Sequence, residues 1–350
     1  MARAGVSDDE PAIVPPLLHR AARIEDAFHA WRQRRGRRRG LTTTIVPYTG
    51  YGTPQWARIL CRVVLGRPDG PAKQRADKVR GWRSFFSIPV DDVEVIATIA
   101  GKDHRLPGER GGVIDARVEV SLAPGWHKIS LATGDEEPVS AQLFIVDPTI
   151  DFGLISDIDD TVMVTALPRP FLAAWNTFVL DEHARSPVPG IAVLYERLTR
   201  SNPGSPVIYL STGAWNVAPT LSRFLARNLY PKGPLLLTDW GPTRDRWFRS
   251  GREHKELSLE RISQEFPAMK WLLVGDDGQH DEEIYGTFAQ RHPQNVAAIA
   301  IRQLSTSEAV FAGGRSKAAE RAKESSIPWF YAPDGARLAG QLTEAGILKP

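Results

Sequence analysis

The sequence predicts an α/β protein in two parts, a parallel sheet interleaved with helices and, before it, a small β-sandwich. Three observations carry that expectation. From Phe152 onward short apolar runs alternate with helical segments, which is how a parallel sheet with crossover helices reads. Between residues 41 and 148, β-branched and alternating runs are punctuated by Gly and Pro clusters, the spacing of a small sandwich. A length of 350 residues also exceeds what one hydrophobic core commonly fills. The expected organisation is therefore a tail and basic helix over 1–40, a β-sandwich over 41–148 and an α/β domain over 149–350.

Residues 1–16 hold acidic residues and prolines and read as a loose tail. Leu17, Leu18, Ala21, Ala22, Ile24, Phe28 and Trp31 fall near a 3.6-residue period, which predicts a helix over Leu17–Trp31. It runs into Arg32, Arg34, Arg35, Arg37, Arg38 and Arg39, broken only by Gln33 and Gly36. That basic run reads either as a solvated linker or as a contact for an anionic membrane surface, where each arginine contributes about 1 kcal/mol. Nucleic acid is not expected, because no stacking motif accompanies the arginines.

The β region offers strands at Thr42–Val46, Val93–Ile99, Arg117–Leu122 and Gln142–Val146, separated by Gly66-Arg67-Pro68, Gly111-Gly112 and Ala123-Pro124-Gly125. Nothing in it has the form of a catalytic cluster, and Trp126 and His127 read as packing residues. Cys61 is the sole cysteine, which excludes an internal disulfide and any multi-cysteine metal site. Within Ile59–Leu65 it reads as a small buried hydrophobe. No apolar run approaches the roughly 20 residues of a membrane span, and the N-terminus lacks the apolar core of a signal peptide. A cytoplasmic protein, peripheral to the membrane if the arginines dock there, is the expectation.

In the α/β half, strands are expected at Phe152–Ile158, Val207–Leu210, Leu235–Thr238, Trp271–Val274 and Val296–Ile301, with helices at Pro219–Asn228 and Ser258–Phe266. Ligands of such sheets bind beyond the carboxyl ends of the strands. The first strand ends in Asp157-Ile158-Asp159-Asp160-Thr161. Acidic residues so crowded repel one another unless a cation sits among them, and oxygen ligands favour magnesium. The second ends in Ser211-Thr212-Gly213, whose hydroxyl and backbone N–H groups suit a phosphate oxygen. Lys255, just before the helix expected from Leu257, could neutralise a transferring group. A fourth segment ends in Gly275-Asp276-Asp277, with Asp281 five positions after Asp276. No phosphate-binding Gly-x-x-x-x-Gly-Lys loop, dinucleotide fingerprint or acyl-hydrolase elbow is present.

This order of Asp-x-Asp-x-Thr, Ser, Lys and Gly-Asp with a later Asp resembles the haloacid-dehalogenase-like phosphatases, over about residues 152–303. The resemblance implies a Rossmann-like parallel sheet and a magnesium-dependent phosphatase. It implies Asp157 as nucleophile, Asp159 as acid and base, Ser211 on the phosphoryl group and Lys255 paired with Asp157. Magnesium would be held by Asp157, the Asp159 carbonyl and Asp276, with Asp277 or Asp281 in support.

A narrower resemblance rests on Ile155–Thr161, Trp175-Asn176-Thr177-Phe178, Pro189-Gly190, Tyr209-Leu210-Ser211, Trp215 and Gly278–Tyr285. These look like the phosphatidate phosphatases named after a fungal actin-patch protein, whose bacterial relatives carry a β-rich domain ahead of the catalytic one. That implies hydrolysis of phosphatidate, at a membrane surface, to diacylglycerol and phosphate. Two positions depart from the pattern: Thr212-Gly213-Ala214 replaces Asn-Ser-Pro, and Asp277 stands where Ser is usual. The apolar face of Pro170–Val179 reads as core rather than lipid contact. Trp240, Trp247 and Phe248, interleaved with Arg244, Arg246 and Arg249, read equally as a lipid-phosphate entry or a surface loop. Two other functions stay open at this level: a phosphatase of a soluble phosphomonoester or phosphoprotein, and a non-catalytic membrane- or partner-binding scaffold.

Overall fold

This computed structural model describes residues 31–66, 88–108, 110–134, 136–164, 186–238, 244–278, 280–311 and 326–349. The expected helix Leu17–Trp31 lies outside them except for Trp31, as do the stretch Pro170–Val179, Trp240, and the side chains of Arg244, Arg246, Trp247, Phe248 and Arg249. Residues 31–38 are helical, and Arg34, Arg35, Arg37 and Arg38 on them are exposed to solvent. Gly36 makes this seat possible, because a Cβ there would meet the side chains of Leu65 and Ile88 at about 3 Å.

The N-terminal strands are Thr42–Pro47 (β1), Gly50–Thr53 (β2), Trp56–Gly66 (β3), Ile88–Pro89 (β4), Val95–Ile99 (β5), Lys102–Leu106 (β6), Val113–Glu119 (β7), Gly125–Ala132 (β8) and Val139–Ile145 (β9). They form one nine-stranded sheet in the order β1-β3-β2-β9-β8-β5-β6, with β4 and β7 also on β3. Pairing is antiparallel except between β2 and β9. The long apolar strand β3 is the spine, and Ala57, Ile59, Cys61 and Val63 from it share one core with Val95, Ala97, Leu131 and Leu143 from β5, β8 and β9. Residues from far along the sheet thus meet over a common core. Cys61 lies fully inside. Trp126 rests on Phe144, ring centroids 4.9 Å apart, while staying largely exposed.

The second sheet has six strands: Phe152–Asp157 (β10), Val207–Ala214 (β13), Leu235–Thr238 (β14), Lys270–Asp276 (β15), Val296–Arg302 (β16) and Trp329–Ala332 (β17), with a short ribbon of Met163–Val164 (β11) and Ser186–Pro187 (β12) beside it. The order is β14-β13-β10-β15-β16-β17, every pair parallel. Counting β10 as first, that is 3-2-1-4-5-6, the order of doubly wound sheets, and the winding reverses between β10 and β15. β14 and β16 are nearly all apolar and buried, as expected of strands covered on both faces. The helices are Ile191–Ser201 (α1), Ala218–Arg227 (α2), Arg244–Glu265 (α3), Asp281–Arg291 (α4), Thr306–Phe311 (α5) and Gly335–Glu344 (α6). In α2, Leu221, Phe224 and Leu225 fall on one buried face, with Pro219 at its start where a missing N–H costs nothing. Asp334 caps α6 by accepting from the Arg337 N–H at 2.9 Å. Among the described residues no helix is long and apolar enough to cross a membrane.

The two sheets are joined by a shared core and by charge. Tyr48 stacks on Trp215 at 4.6 Å and donates to its carbonyl at 3.0 Å. Tyr51 donates to Glu265 at 2.8 Å. Arg58 bridges Glu265 and Asp115, and Arg261 reaches Asp115 from the other side at 2.6 Å. Trp56, Phe266 and Trp271 continue the contact as a run of rings at 5.6 and 5.9 Å.

Candidate active site

The carboxyl end of β10 delivers Asp157 to the point where the sheet's winding reverses, and a tight turn follows. Val162 and Met163 both donate backbone N–H groups to the Ile158 carbonyl, and Asp160 N–H donates to Met163 O at 2.8 Å. Asp160 sits at φ 60°, a left-handed conformation that Asp tolerates better than most residues. β15 ends beside it with Asp276, and α4 begins with Asp281. One oxygen from each of Asp157, Asp276 and Asp281 lies within 4.8 Å of the others, and all three side chains are buried. Gly275 permits this. A Cβ there would come within 2.6 Å of Asp281 Oδ2, so any larger residue would push that carboxylate off the strand.

Lys255 answers part of the negative charge. Its Nζ donates to Asp157 Oδ1 at 2.6 Å and to Asp281 Oδ1 at 2.5 Å, and its side chain is 7% exposed. Burial alone would lower its pKa, yet the two carboxylates outweigh that and push it up, so Lys255 stays an ammonium. Burial raises Asp157 well above the ordinary carboxylate range. Lys255 opposes the rise, and Asp281, Asp159 and Asp276 add to it. Asp276 is raised too, by burial first and then by Asp281 and Asp160. One lysine therefore leaves three clustered carboxylates under-compensated.

Ser211, on β13, donates from Oγ to Asp159 Oδ2 at 2.9 Å and accepts from Gly213 N–H at 2.9 Å. The structure so brings Asp157, Asp276, Asp281 and Lys255 into direct contact and joins Asp159 to Ser211. Two expectations change. Lys255 lies inside a helix of 22 residues, not ahead of one starting at Leu257. The segment from Arg244 is so polar that its helical period is hidden. The Gly213 N–H, expected to be open to a phosphate, is occupied by the Ser211 hydroxyl. Asp277 stands apart from the trio, accepting from Leu304 N–H at 2.8 Å.

The donor set suits a hard divalent cation: three carboxylates and no nitrogen or sulfur among the clustered groups. Asp281 Oδ2 is buried without a hydrogen-bond partner, as a ligand oxygen awaiting a cation is.

Residues 152–303 match the family model for the catalytic domain of phosphatidate phosphatase APP1. Over that stretch the chain is similar to the phosphatidate phosphatase family. Phosphatidate phosphatase APP1 of Saccharomyces cerevisiae is 28% identical over 240 residues, covering 64% of this chain and 40% of the yeast protein. An uncharacterised protein of Schizosaccharomyces pombe is 25% identical over 201 residues, 56% of this chain and 32% of that one. The chain thus spans about a third to two fifths of the length of these relatives. Among solved structures, a carbohydrate acetylesterase from Xanthomonas citri aligns over 86% of this chain and 73% of that one at 8% identity, with a TM-score of 0.33, too low to bear on the fold.

Against the phosphatidate phosphatase pattern, the two departures have local accounts. A Cβ on Gly213 would crowd Ser211 Oγ at 3.2 Å, the atom its N–H meets, and Asp277 ties β15 to the residue two after β16. Sequence reasoning missed the groups beneath the turn. Ser156 Oγ donates to the Asp157 carbonyl and contacts Tyr195 Oη, each at 2.6 Å. Tyr230 donates to Val162 O at 2.8 Å, and Arg302 donates to Asp160 O at 2.7 Å. Only Arg302 carried a signal, a charge closing the apolar run Val296–Ile301.

Proposed function

We propose that this chain is a magnesium-dependent phosphatase of the haloacid-dehalogenase-like kind, which hydrolyses phosphatidate to diacylglycerol and phosphate. The observation that carries the reading is the buried Asp157–Asp276–Asp281 cluster, with Lys255 bonded to the first and last of them. The Asp157 and Asp276 side chains and the Asp159 carbonyl would hold the cation, with Asp281 in support. Bound there, Mg2+ supplies the positive charge that lets a carboxylate approach an anionic phosphate.

The chain's own groups do the rest. An Asp157 oxygen attacks phosphorus in line while the bond to the ester oxygen breaks, and Asp159 gives that oxygen its proton. The aspartyl-phosphate so formed is opened by water, whose proton returns to Asp159, releasing inorganic phosphate and restoring Asp157. Ser211 turns its hydroxyl from Asp159 to the phosphoryl oxygens, and Lys255 keeps Asp157 oriented while screening the transferred group.

The lipid substrate is supported by the family relationship and by the helix at 31–38, which carries exposed Arg34, Arg35, Arg37 and Arg38 with Arg39 following it. Those arginines would hold the enzyme against anionic membranes as a peripheral protein. The test is phosphate release from phosphatidate in mixed micelles, with sugar phosphates and a phosphopeptide in parallel. Magnesium-dependent release that favours phosphatidate supports the reading, and Asp157→Asn should lower it about a thousandfold or more. Undiminished release by Asp157→Asn or in excess EDTA refutes the mechanism. Preference for a soluble ester refutes the substrate alone.

A further inference from the structure

Arg302 closes β16 in register beside Asp276 and is buried. Its guanidinium forks between two elements. Nη1 donates to the Asp160 carbonyl at 2.7 Å, and Nη2 donates to Glu308 Oε1 at 2.7 Å. Glu308 is itself pinned by the Ser305 N–H on its other oxygen at 2.8 Å. Burial works to raise the Glu308 carboxyl, but the bonds from Arg302 and Ser305 outweigh it and hold it ionised. The arginine's charge is thereby matched, and its other arm is aimed at one peptide of the turn.

That peptide joins Asp160 to Thr161, one residue beyond Asp159. Asp160 is the residue at φ 60°, where the chain beyond Asp159 turns back so that the Asp160 N–H meets the Met163 carbonyl. The two ends of the turn have other holds, Ser156 on the Asp157 carbonyl and Tyr230 on the Val162 carbonyl. Arg302 grips the middle. We infer that Arg302 is a positioning residue, whose fork fixes the Asp160 peptide and so aims the Asp159 carboxyl at the leaving-group oxygen. The inference rests on the phosphatase reading above. A lysine keeps the charge but presents one point instead of a fork, so it cannot span Asp160 and Glu308 together.

The experiment compares Arg302→Lys and Glu308→Gln with the wild type on two esters. Phosphatidate has an alkoxide leaving group that needs a proton, and 4-nitrophenyl phosphate has one that leaves without it. Since a positioned acid contributes about a hundredfold or more, kcat/KM of Arg302→Lys on phosphatidate should fall about 30- to 100-fold with KM little changed. On 4-nitrophenyl phosphate it should fall less than about 5-fold, with both esters assayed well below the variant's melting midpoint. Glu308→Gln should show the same asymmetry at smaller size. In parallel, hydrogen exchange of amides in 157–163 should quicken in Arg302→Lys while β13 is unaffected. Equal losses on both esters, or an unaltered exchange rate in the turn, overturn the proposal. If the wild type hydrolyses neither ester, the phosphatase reading and the role of Asp159 fall together, and exchange alone upholds or overturns the grip of Arg302 on the turn.

Discussion

Removing a carboxylate from the cluster should make the metal-free protein more stable. Asp276→Asn is the sharpest form of the test, because the Asn Oδ1 can still accept the Gly278 N–H that Asp276 Oδ1 accepts at 2.7 Å. With the carboxylate oxygens within 4.8 Å, two unit charges repel by roughly 3 kcal/mol at an effective dielectric of about 20. Asp276 faces two such neighbours, and Lys255 offsets part of the repulsion, so the net relief is about 1–3 kcal/mol. The pH dependence follows from the raised pKa of Asp276. Between the ordinary carboxylate value and the raised one, the folded state binds more protons than the unfolded state. Its stability therefore falls as pH rises through that window. Urea unfolding in EDTA, at steps from about pH 5 to 8, should show the variant gaining on the wild type as pH increases. With millimolar magnesium the order should reverse, since ligand binding stabilises only the chain that keeps its ligands. A variant no more stable than wild type in EDTA, or a gap that does not widen with pH, would refute the argument.

Two further outcomes are expected from groups away from the cluster. Arg58→Met leaves buried Glu265 without its guanidinium, while half-buried Asp115 keeps Arg261, and should cost about 3 kcal/mol in urea unfolding; a loss under about 1 kcal/mol would mean the bridge is ornamental. Replacing Arg34, Arg35, Arg37, Arg38 and Arg39 by Gln should weaken sedimentation with anionic vesicles by about 1 kcal/mol per residue, leaving turnover of a soluble ester intact; equal binding by both proteins would remove the membrane role.

The sequence expectations held where one physical rule dominated. Apolar runs such as Val296–Ile301 and Leu235–Thr238 mark strands buried on both faces, and their ends were legible to within a residue or so. The Gly-Asp-Asp segment and the Asp157 turn were legible because carboxylates crowded at a strand end repel one another unless a cation offsets them. Other elements were hidden. β8 carries Trp126, His127 and Lys128 among its apolar residues, and its partner strands supply the burial that the local pattern does not show. α3 was legible only from Ser258 onward, since its first turns are charged on every side. β17 and α6 complete the sheet from a segment whose role could not be read, because Trp329 to Ala332 is too short a run to declare itself. The supports of the turn, Tyr195 and Tyr230, are ordinary core tyrosines by sequence, and only three-dimensional proximity gives them a task.

The way Tyr48, Tyr51 and Trp56 join the core of the second sheet bears on how this protein can be dissected. The stretch that matches the catalytic family ends at 303, yet the sixth strand and the helix lying against α1 come later in the chain. Trimming to the matched stretch would strip a flank from the sheet and expose Trp215 and Phe266 to water. Such a fragment would keep every acidic residue of the site and still precipitate, so its silence in an assay would say nothing about chemistry.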